Sequence, residues 1–132
     1  MKSTLLAGLF VVVSFLMVSG LLFAHHSSTW ADAEHPLTLT GTVTEWSYMN
    51  PHVRMALAVK DKDGNVEQWT VEFNSPQSLR RSGWSIASVK PGDEVTLTGS
   101  PSKDGRKLLG HQGNRKVLVN GQELTLQRAP RY

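Results

Sequence analysis

Hydrophobic and polar residues alternate with a period of two through most of the chain beyond residue 35, which is the pattern of β-strands with one buried face. The first alternating segment, residues 37–46, ends at Trp46, which shares a face with the threonines and is therefore predicted to point outward. The second segment, residues 52–60, begins at His52, which is predicted to lie off the core face. The residues predicted to face the core in these two segments are Leu37, Leu39, Gly41, Val43, Val53, Met55, Leu57 and Val59.

Turn-forming residues separate further strands of the same kind. Residues 61–65 predict a hairpin loop into residues 66–73, where Trp69, Val71 and Phe73 are predicted to face the core. Later reversals predict strands over residues 94–99 and 107–119, and the Asn120-Gly121 dipeptide predicts a hairpin that pairs residues 117–119 with 123–126.

One break in the alternation predicts a short helix. Ser75 supplies a capping hydroxyl before Pro76 at the first helical position, and Gly83 can adopt the left-handed conformation that ends a helix. Trp84 and Ile86, which follow, are predicted to be core residues.

This order of elements indicates the fold class. Three strands, a short helix and two or three further strands are expected of a mainly β, small OB-like Greek-key barrel of five to six strands, which we place at residues 37–127. A small open sandwich is the alternative. An extended segment over residues 25–36 precedes the barrel, and residues 128–132 are expected to form a tail.

The first 24 residues are mostly apolar and do not show the alternating pattern. Positive charge at Met1 and Lys2 precedes an apolar run from Leu5 to Phe23, which is typical of a secretory signal peptide. We expect residues 1–24 to be removed, leaving a periplasmic or secreted protein. The run is also close to the about 20 residues that span a bilayer, so the alternative is an uncleaved N-terminal anchor, and only then would a membrane be a partner.

The amino-acid composition and the absence of certain motifs exclude several kinds of functional site. The 132-residue chain has no cysteine, which excludes a disulfide framework, a zinc ribbon and a thiol nucleophile. The sequence contains neither a Gly-rich phosphate loop before a helix nor a Gly-x-Ser-x-Gly motif. We therefore expect a binding module rather than an enzyme, and no catalytic residue is assigned.

Histidines are the most specific candidates for a binding site. Cleavage after Ala24 would make His25 the N-terminal residue, whose α-amine and imidazole can chelate one metal ion. An imidazole from His26, His52 or His111 would complete the set, and such nitrogen ligands suit copper, nickel or zinc, with divalent copper favoured by a planar arrangement.

His52 has a further argument in its favour. Asn50 is restricted by the proline that follows it, and Pro51 fixes its own φ, so His52 is presented at a stiff strand entry, as a ligand requires. The candidate metal ligands are thus His25, His26 and His52. The alternative is that these histidines are ordinary polar residues of a terminal segment and a strand surface.

Charge is unevenly divided along the chain. Residues 25–79 contain three basic and seven acidic residues, whereas residues 80–132 contain ten basic and four acidic ones. The basic half could bind an anionic polymer or a partner protein, or it could simply be a solvated surface. Nucleic acid is not expected as a partner, because the protein is predicted to be exported and one outward aromatic residue does not make a stacking groove. The candidate ligand-binding residues are Trp46, Asn50, Arg80 and Arg81.

Several short motifs occur in a characteristic order over nearly the whole chain beyond the leader. Together they resemble a family of small exported bacterial proteins classed only as a domain of unknown function. The resemblance implies a cell-envelope protein and assigns no activity. The motifs that carry it are Ala24-His25-His26-Ser27, Leu39-Thr40-Gly41-Thr42-Val43, Asn50-Pro51-His52, Ser75-Pro76, Leu79-Arg80-Arg81, Gly83-Trp84 and Lys90-Pro91-Gly92-Asp93-Glu94.

Three functional hypotheses follow from the sequence. The first is an exported cell-envelope binding module that takes copper through the new N-terminal histidine. The second is a binder of an anionic polymer or partner protein through the basic half. The third is a copper-dependent oxidative enzyme built on the same histidine.

Overall fold

Seven strands and two short helices make up the part of the chain that the computed structural model describes, residues 30–113 and 115–124. The predicted leader, His25, His26 and the predicted tail lie outside the described residues. The elements are β1 (Leu37–Ser47), β2 (Arg54–Lys60), β3 (Val66–Phe73), α1 (Pro76–Arg81), a 3-10 helix (Ile86–Ser88), β4 (Glu94–Pro101), β5 (Leu108–His111), β6 (Val117–Val119) and β7 (Gln122–Glu123).

Five of the strands close into a barrel. Strands β1, β2 and β3 form an antiparallel meander, β5 pairs in parallel with β3 and antiparallel with β4, and β4 returns to pair with β1. Hairpin β6–β7 extends the sheet from β4. The prediction of a mainly β, OB-like barrel with one short helix is confirmed. The predicted strand over residues 107–119 is instead two strands, because the chain leaves the sheet after His111 and re-enters it at Val117.

The core lies inside the barrel and follows the predicted alternation. Val53, Met55, Leu57 and Val71 are completely buried. Helix α1 begins where predicted, since the Ser75 hydroxyl accepts a hydrogen bond from the backbone N–H of Ser78, and Gly83 has a φ of +93°. Among the described residues, no helix has the length and apolar character needed to cross a membrane.

A β-bulge in β1 overturns the prediction that Trp46 points outward. Val43 pairs with Leu57, but Glu45 pairs with the next residue, Ala56, so Thr44 is an extra residue and the faces exchange beyond it. Trp46 therefore packs against the core, with its ring centroid 5.8 Å from that of Phe73 and 6.0 Å from that of Trp84.

Trp84 and Ile86, both predicted to be core residues, differ in burial at the end of the barrel. Trp84 is buried, and its indole N–H donates to the Gly113 carbonyl at 2.9 Å. Ile86 is 69% exposed, so the prediction that it joins the core was wrong. Its backbone carbonyl accepts the indole N–H of Trp46 at 3.0 Å, which gives the segment a polar attachment instead of an apolar one.

The Lys-Pro-Gly-Asp motif before β4 is held together by the Asp93 carboxylate. Asp93 accepts hydrogen bonds from the backbone and ammonium groups of Lys90 and from the side-chain amide of Asn120. These hydrogen bonds, with that of the Lys90 side chain contributing most, lower the pKa of Asp93 from 3.8 to about 2. The motif therefore ties the turn before β4 to the β6–β7 turn.

Candidate functional site

A cleft of about 550 Å³ opens on the outer face of the barrel, where β3 and β5 end beside the loop that leads into β2. Its volume is in the range typical of small-molecule sites. The lining combines an indole, a phenyl ring, two imidazoles, a carboxylate, a hydroxyl and two amides. The lining residues are Trp30, Ala31, Ala33, His52, Glu72, Phe73, Asn74, Ser100, Gly110, His111 and Gln112.

The floor of the cleft is a row of cross-strand neighbours. Arg54 pairs with Glu72, Glu72 with Gly110, and Gly110 with Ser100, across strands β2, β3, β5 and β4. Because Gly110 has no side chain, the row has a notch between the Glu72 and Ser100 side chains. The Trp30 indole lies over this notch, and its Cη2 atom would be 3.1 Å from a Cβ placed on Gly110.

Trp30 reaches the notch because the segment before β1 is docked on the end of β4. The Trp30 carbonyl accepts the backbone N–H of Lys103 at 2.9 Å, and the Asp32 N–H donates to the Pro101 carbonyl at 2.8 Å. Ala31 forms an isolated bridge with Ser102. Two backbone hydrogen bonds, one on each side of Ala31, thus attach this segment to the end of β4 and fix one wall of the cleft.

His52 lies at the opposite rim of the cleft. It is exposed, and its Nδ1 atom is 3.1 Å from the Phe73 carbonyl oxygen. A carbonyl can only accept, so Nδ1 carries the hydrogen and Nε2 carries a free lone pair. The Asn50–Pro51 peptide bond before it is cis. The prediction that His52 lies off the core face is confirmed.

His111 contributes a buried imidazole beneath the same cleft. Its side chain faces the core, with its ring centroid 5.2 Å from that of Phe73. Nδ1 accepts the Gly113 N–H at 2.9 Å, so the hydrogen is on Nε2, which is buried without a partner in the described residues. Burial, with a smaller contribution from the Arg115 charge, lowers the pKa of His111 from 6.5 to about 4, and the ring is neutral at pH 7.

The other predicted site residues within the described part of the chain do not lie in the cleft. Trp46 is packed against the core, and Asn50 is exposed in the loop between β1 and β2. Arg80 and Arg81 are exposed in the last turn of α1, and neither pairs with a carboxylate in the described residues. No three metal-ligating side chains come together within residues 30–113 and 115–124.

Sequence reasoning identified His52 and missed most of the cleft, including Gly110, Glu72 and Trp30. Gly110 and Glu72 become neighbours only through the parallel pairing of β3 with β5. No turn or residue spacing in the sequence predicts this pairing. Trp30 lies in a segment without alternation. The only feature of the sequence that could have indicated its position is the presence of a tryptophan in an otherwise polar segment, because a large indole is usually at least partly covered by other residues.

The barrel and its cleft define the class of protein: a small OB-type β barrel with a cleft of mixed apolar and polar lining. The chain belongs to a family of unknown function, DUF6152, whose model matches residues 13–112. The resemblance inferred from the motifs is thereby confirmed. No curated protein matches the chain.

Among solved structures, the chain is similar to the mitochondrial single-stranded DNA-binding protein Rim1 from S. cerevisiae. The two are 14% identical with a TM-score of 0.43, and the match covers 64% of this chain and 93% of that one. The prediction that excluded nucleic acid as a partner was therefore wrong, since a DNA-binding protein is among the matches. The likeness assigns no ligand to this chain.

Proposed function

We propose that the protein is an exported cell-envelope binding module that holds a divalent copper ion between the N-terminal residue His25, its neighbour His26, and His52. The observation that carries the proposal is the hydrogen bond from His52 Nδ1 to the Phe73 carbonyl. Histidine ligands of metals commonly donate their second ring N–H to a carbonyl, which fixes the tautomer and orients the ligating nitrogen. His52 has this arrangement before any metal binds.

Chain reach supports the same ligand set. Trp30 and His52 line the same cleft, and Trp30 follows His26 by only four residues. Four residues can span up to about 14 Å, so the chain between His26 and Trp30 is long enough to cross a cleft that Trp30 and His52 both line. Tethering raises the effective concentration of the terminal amine and imidazoles at His52. His111 is a poorer ligand, because its Nδ1 is already an acceptor and its Nε2 is protonated.

The experiment begins with the mass of the exported product, which should correspond to a chain that starts at His25. Copper affinity is then measured by chelator competition for this product and for its variants His25→Ala and His52→Ala. Each variant should bind copper at least about tenfold more weakly, which is about 1.4 kcal/mol per site.

The matched control is His35→Ala. His35 is exposed, pairs with Asp32 at 2.9 Å and does not line the cleft, so its removal should leave copper affinity unchanged. Equal affinity of the wild type and His52→Ala, or an equal loss in His35→Ala, would show that copper does not bind at the proposed site.

A second function is supported by the uncompensated charge on α1. Three other basic residues of the second half of the chain form ion pairs. These pairs are Arg106 with Asp104, Lys107 with Glu67 and Lys116 with Glu123. Arg80 and Arg81 have no such partner among the described residues. We propose that they bind an anionic polymer.

Retention on immobilised heparin tests this second function. The double variant Arg80→Glu and Arg81→Glu should elute at much lower salt than the wild type, because surface charge attraction is screened by salt. The double variant Lys60→Glu and Lys62→Glu, near the β2–β3 turn, makes the same charge change elsewhere. If both pairs shift the elution equally, only net charge matters and no specific surface exists.

A further inference from the structure

We propose that the cleft over Gly110 binds a neutral saccharide, with a sugar ring packed against the Trp30 indole and its hydroxyl groups donating to Glu72 and Asn74. The proposal goes beyond the copper site and does not depend on it, because it uses the floor of the cleft rather than the His52 nitrogen at its rim. Both the shape and the polar groups of the cleft support it.

The shape is built by the missing side chain of Gly110. In the row across the sheet, Glu72 and Ser100 flank this glycine, and Trp30 covers it. Because the indole lies directly on Gly110, it occupies the space above the glycine and forms an aromatic wall of the cleft, with Glu72 beside it. A sugar ring matches such a wall, since its C–H face can pack on the indole while its hydroxyls reach the polar groups beside it.

Most of the polar groups beside the Trp30 indole are hydrogen-bond acceptors. Oε2 of Glu72 accepts from the Arg54 guanidinium at 3.2 Å, and Oε1 has no hydrogen-bond partner in the described part of the chain. The side-chain N–H of Asn74 donates to the Gln112 carbonyl at 3.2 Å, which fixes that amide and leaves its oxygen available. Acceptors held in this way select a ligand that brings hydroxyl donors.

The charge of the cleft distinguishes a neutral sugar from a phosphate-bearing ligand. No lysine or arginine lines the cleft in the described residues, and its one carboxylate, Glu72, is neutralised by Arg54 at the edge. Binding of a nucleic acid strand depends on cations that neutralise phosphates.

The test measures backbone amide shifts by NMR as maltose, cellobiose or diacetylchitobiose is added at millimolar concentration, with a chelator present to remove metal ions. At least one of the three should shift amides of β3 and β5 around Glu72 and Gly110. Trp30→Ala and Glu72→Gln should each weaken that binding at least about tenfold. Lys62→Ala, in the β2–β3 turn outside the cleft, is the control and should bind as the wild type does.

The outcomes separate this proposal from the copper site. His25→Ala should lose copper and still bind the disaccharide, since it leaves the lining of the cleft, including Trp30 and Glu72, in place. The absence of shifts with all three disaccharides overturns the proposal, as does equal binding by the wild type and Glu72→Gln. A thymidine decanucleotide that shifts the same amides, when the sugars do not, identifies the cleft as a nucleic acid site instead.

Discussion

Acidification should destabilise the protein through one buried side chain, His111. The imidazole is 3% exposed, packs against Phe73 and has no hydrogen-bond acceptor for its Nε2–H in the described residues. A second proton would place a charge in this apolar environment close to the positive charge of Arg115, and for these reasons the pKa of His111 is lowered from 6.5 to about 4. The unfolded chain therefore binds this proton more readily than the folded chain.

The sign and size of the effect follow from linkage. The stabilisation is fully present above pH 6.5 and is lost as the pH falls through the window between 6.5 and about 4, because protons then bind the unfolded state preferentially. The loss should be about 2 kcal/mol between about pH 7.5 and about pH 5, and about 3 kcal/mol once the pH is below both pKa values.

Urea denaturation followed by tryptophan fluorescence measures this loss at a series of pH values. His111→Asn is the matched variant, since its Oδ1 atom replaces Nδ1 and can accept from the Gly113 N–H without titrating. The free energy of unfolding of the variant should depend on pH less than that of the wild type, by about 2 kcal/mol over the same range. A direct NMR titration of His111 in the wild type makes the test independent of whether the variant folds.

Two results would refute this reasoning. One is an equal pH dependence in the wild type and in His111→Asn. The other is a measured pKa of His111 at or above the 6.5 of an ordinary histidine, which would mean that burial does not disfavour the imidazolium.

Three further predictions concern stability, and chemical denaturation checks each of them. Asp93→Asn should cost about 2 kcal/mol near neutral pH, and the difference from the wild type should shrink as the pH falls from 3.8 towards 2, where the wild-type carboxyl group also becomes protonated. Gly113→Ala should cost more than Gly92→Ala, since both glycines have positive φ but only at Gly113 would a Cβ collide with the Leu79 side chain. Trp84→Phe should cost about 2 kcal/mol or more, because it leaves the Gly113 carbonyl without the indole N–H that it accepts at 2.9 Å.

The sequence predicted the local features of the fold well. Strand alternation around Met55 and Leu57, the capping hydroxyl of Ser75 and the Asn120-Gly121 turn all match the structure. These features depend on φ preferences and on the contrast between solvent and core, which act within a few residues of chain.

The features that the sequence did not predict depend on partners far along the chain. Trp46 was assigned to the wrong face because the bulge at Thr44 is set by pairing with β2, and alternation alone carries no sign of an extra residue. The division of the last predicted strand into β5 and β6 likewise reflects pairing with two different neighbours, β3 and β4.

In the candidate site too, the sequence predicted the local features and missed those that depend on distant parts of the chain. The sequence identified His52 and the stiff Asn50-Pro51 entry before it, because those are properties of adjacent residues. It could not place Trp30 over Gly110 beside Glu72, since that requires barrel closure and a parallel pairing between strands more than thirty residues apart.

The amino-acid sequence by itself thus determined the β class, the positions of the turns, the capped helix and membership of the family, all of which are written in short stretches of chain. Tertiary structure alone decided which face Trp46 occupies, how the barrel closes and which side chains meet in the cleft. The physical reason is that register and closure are chosen by the packing of the whole barrel, whereas alternation and turn geometry are chosen by each residue and its immediate neighbours.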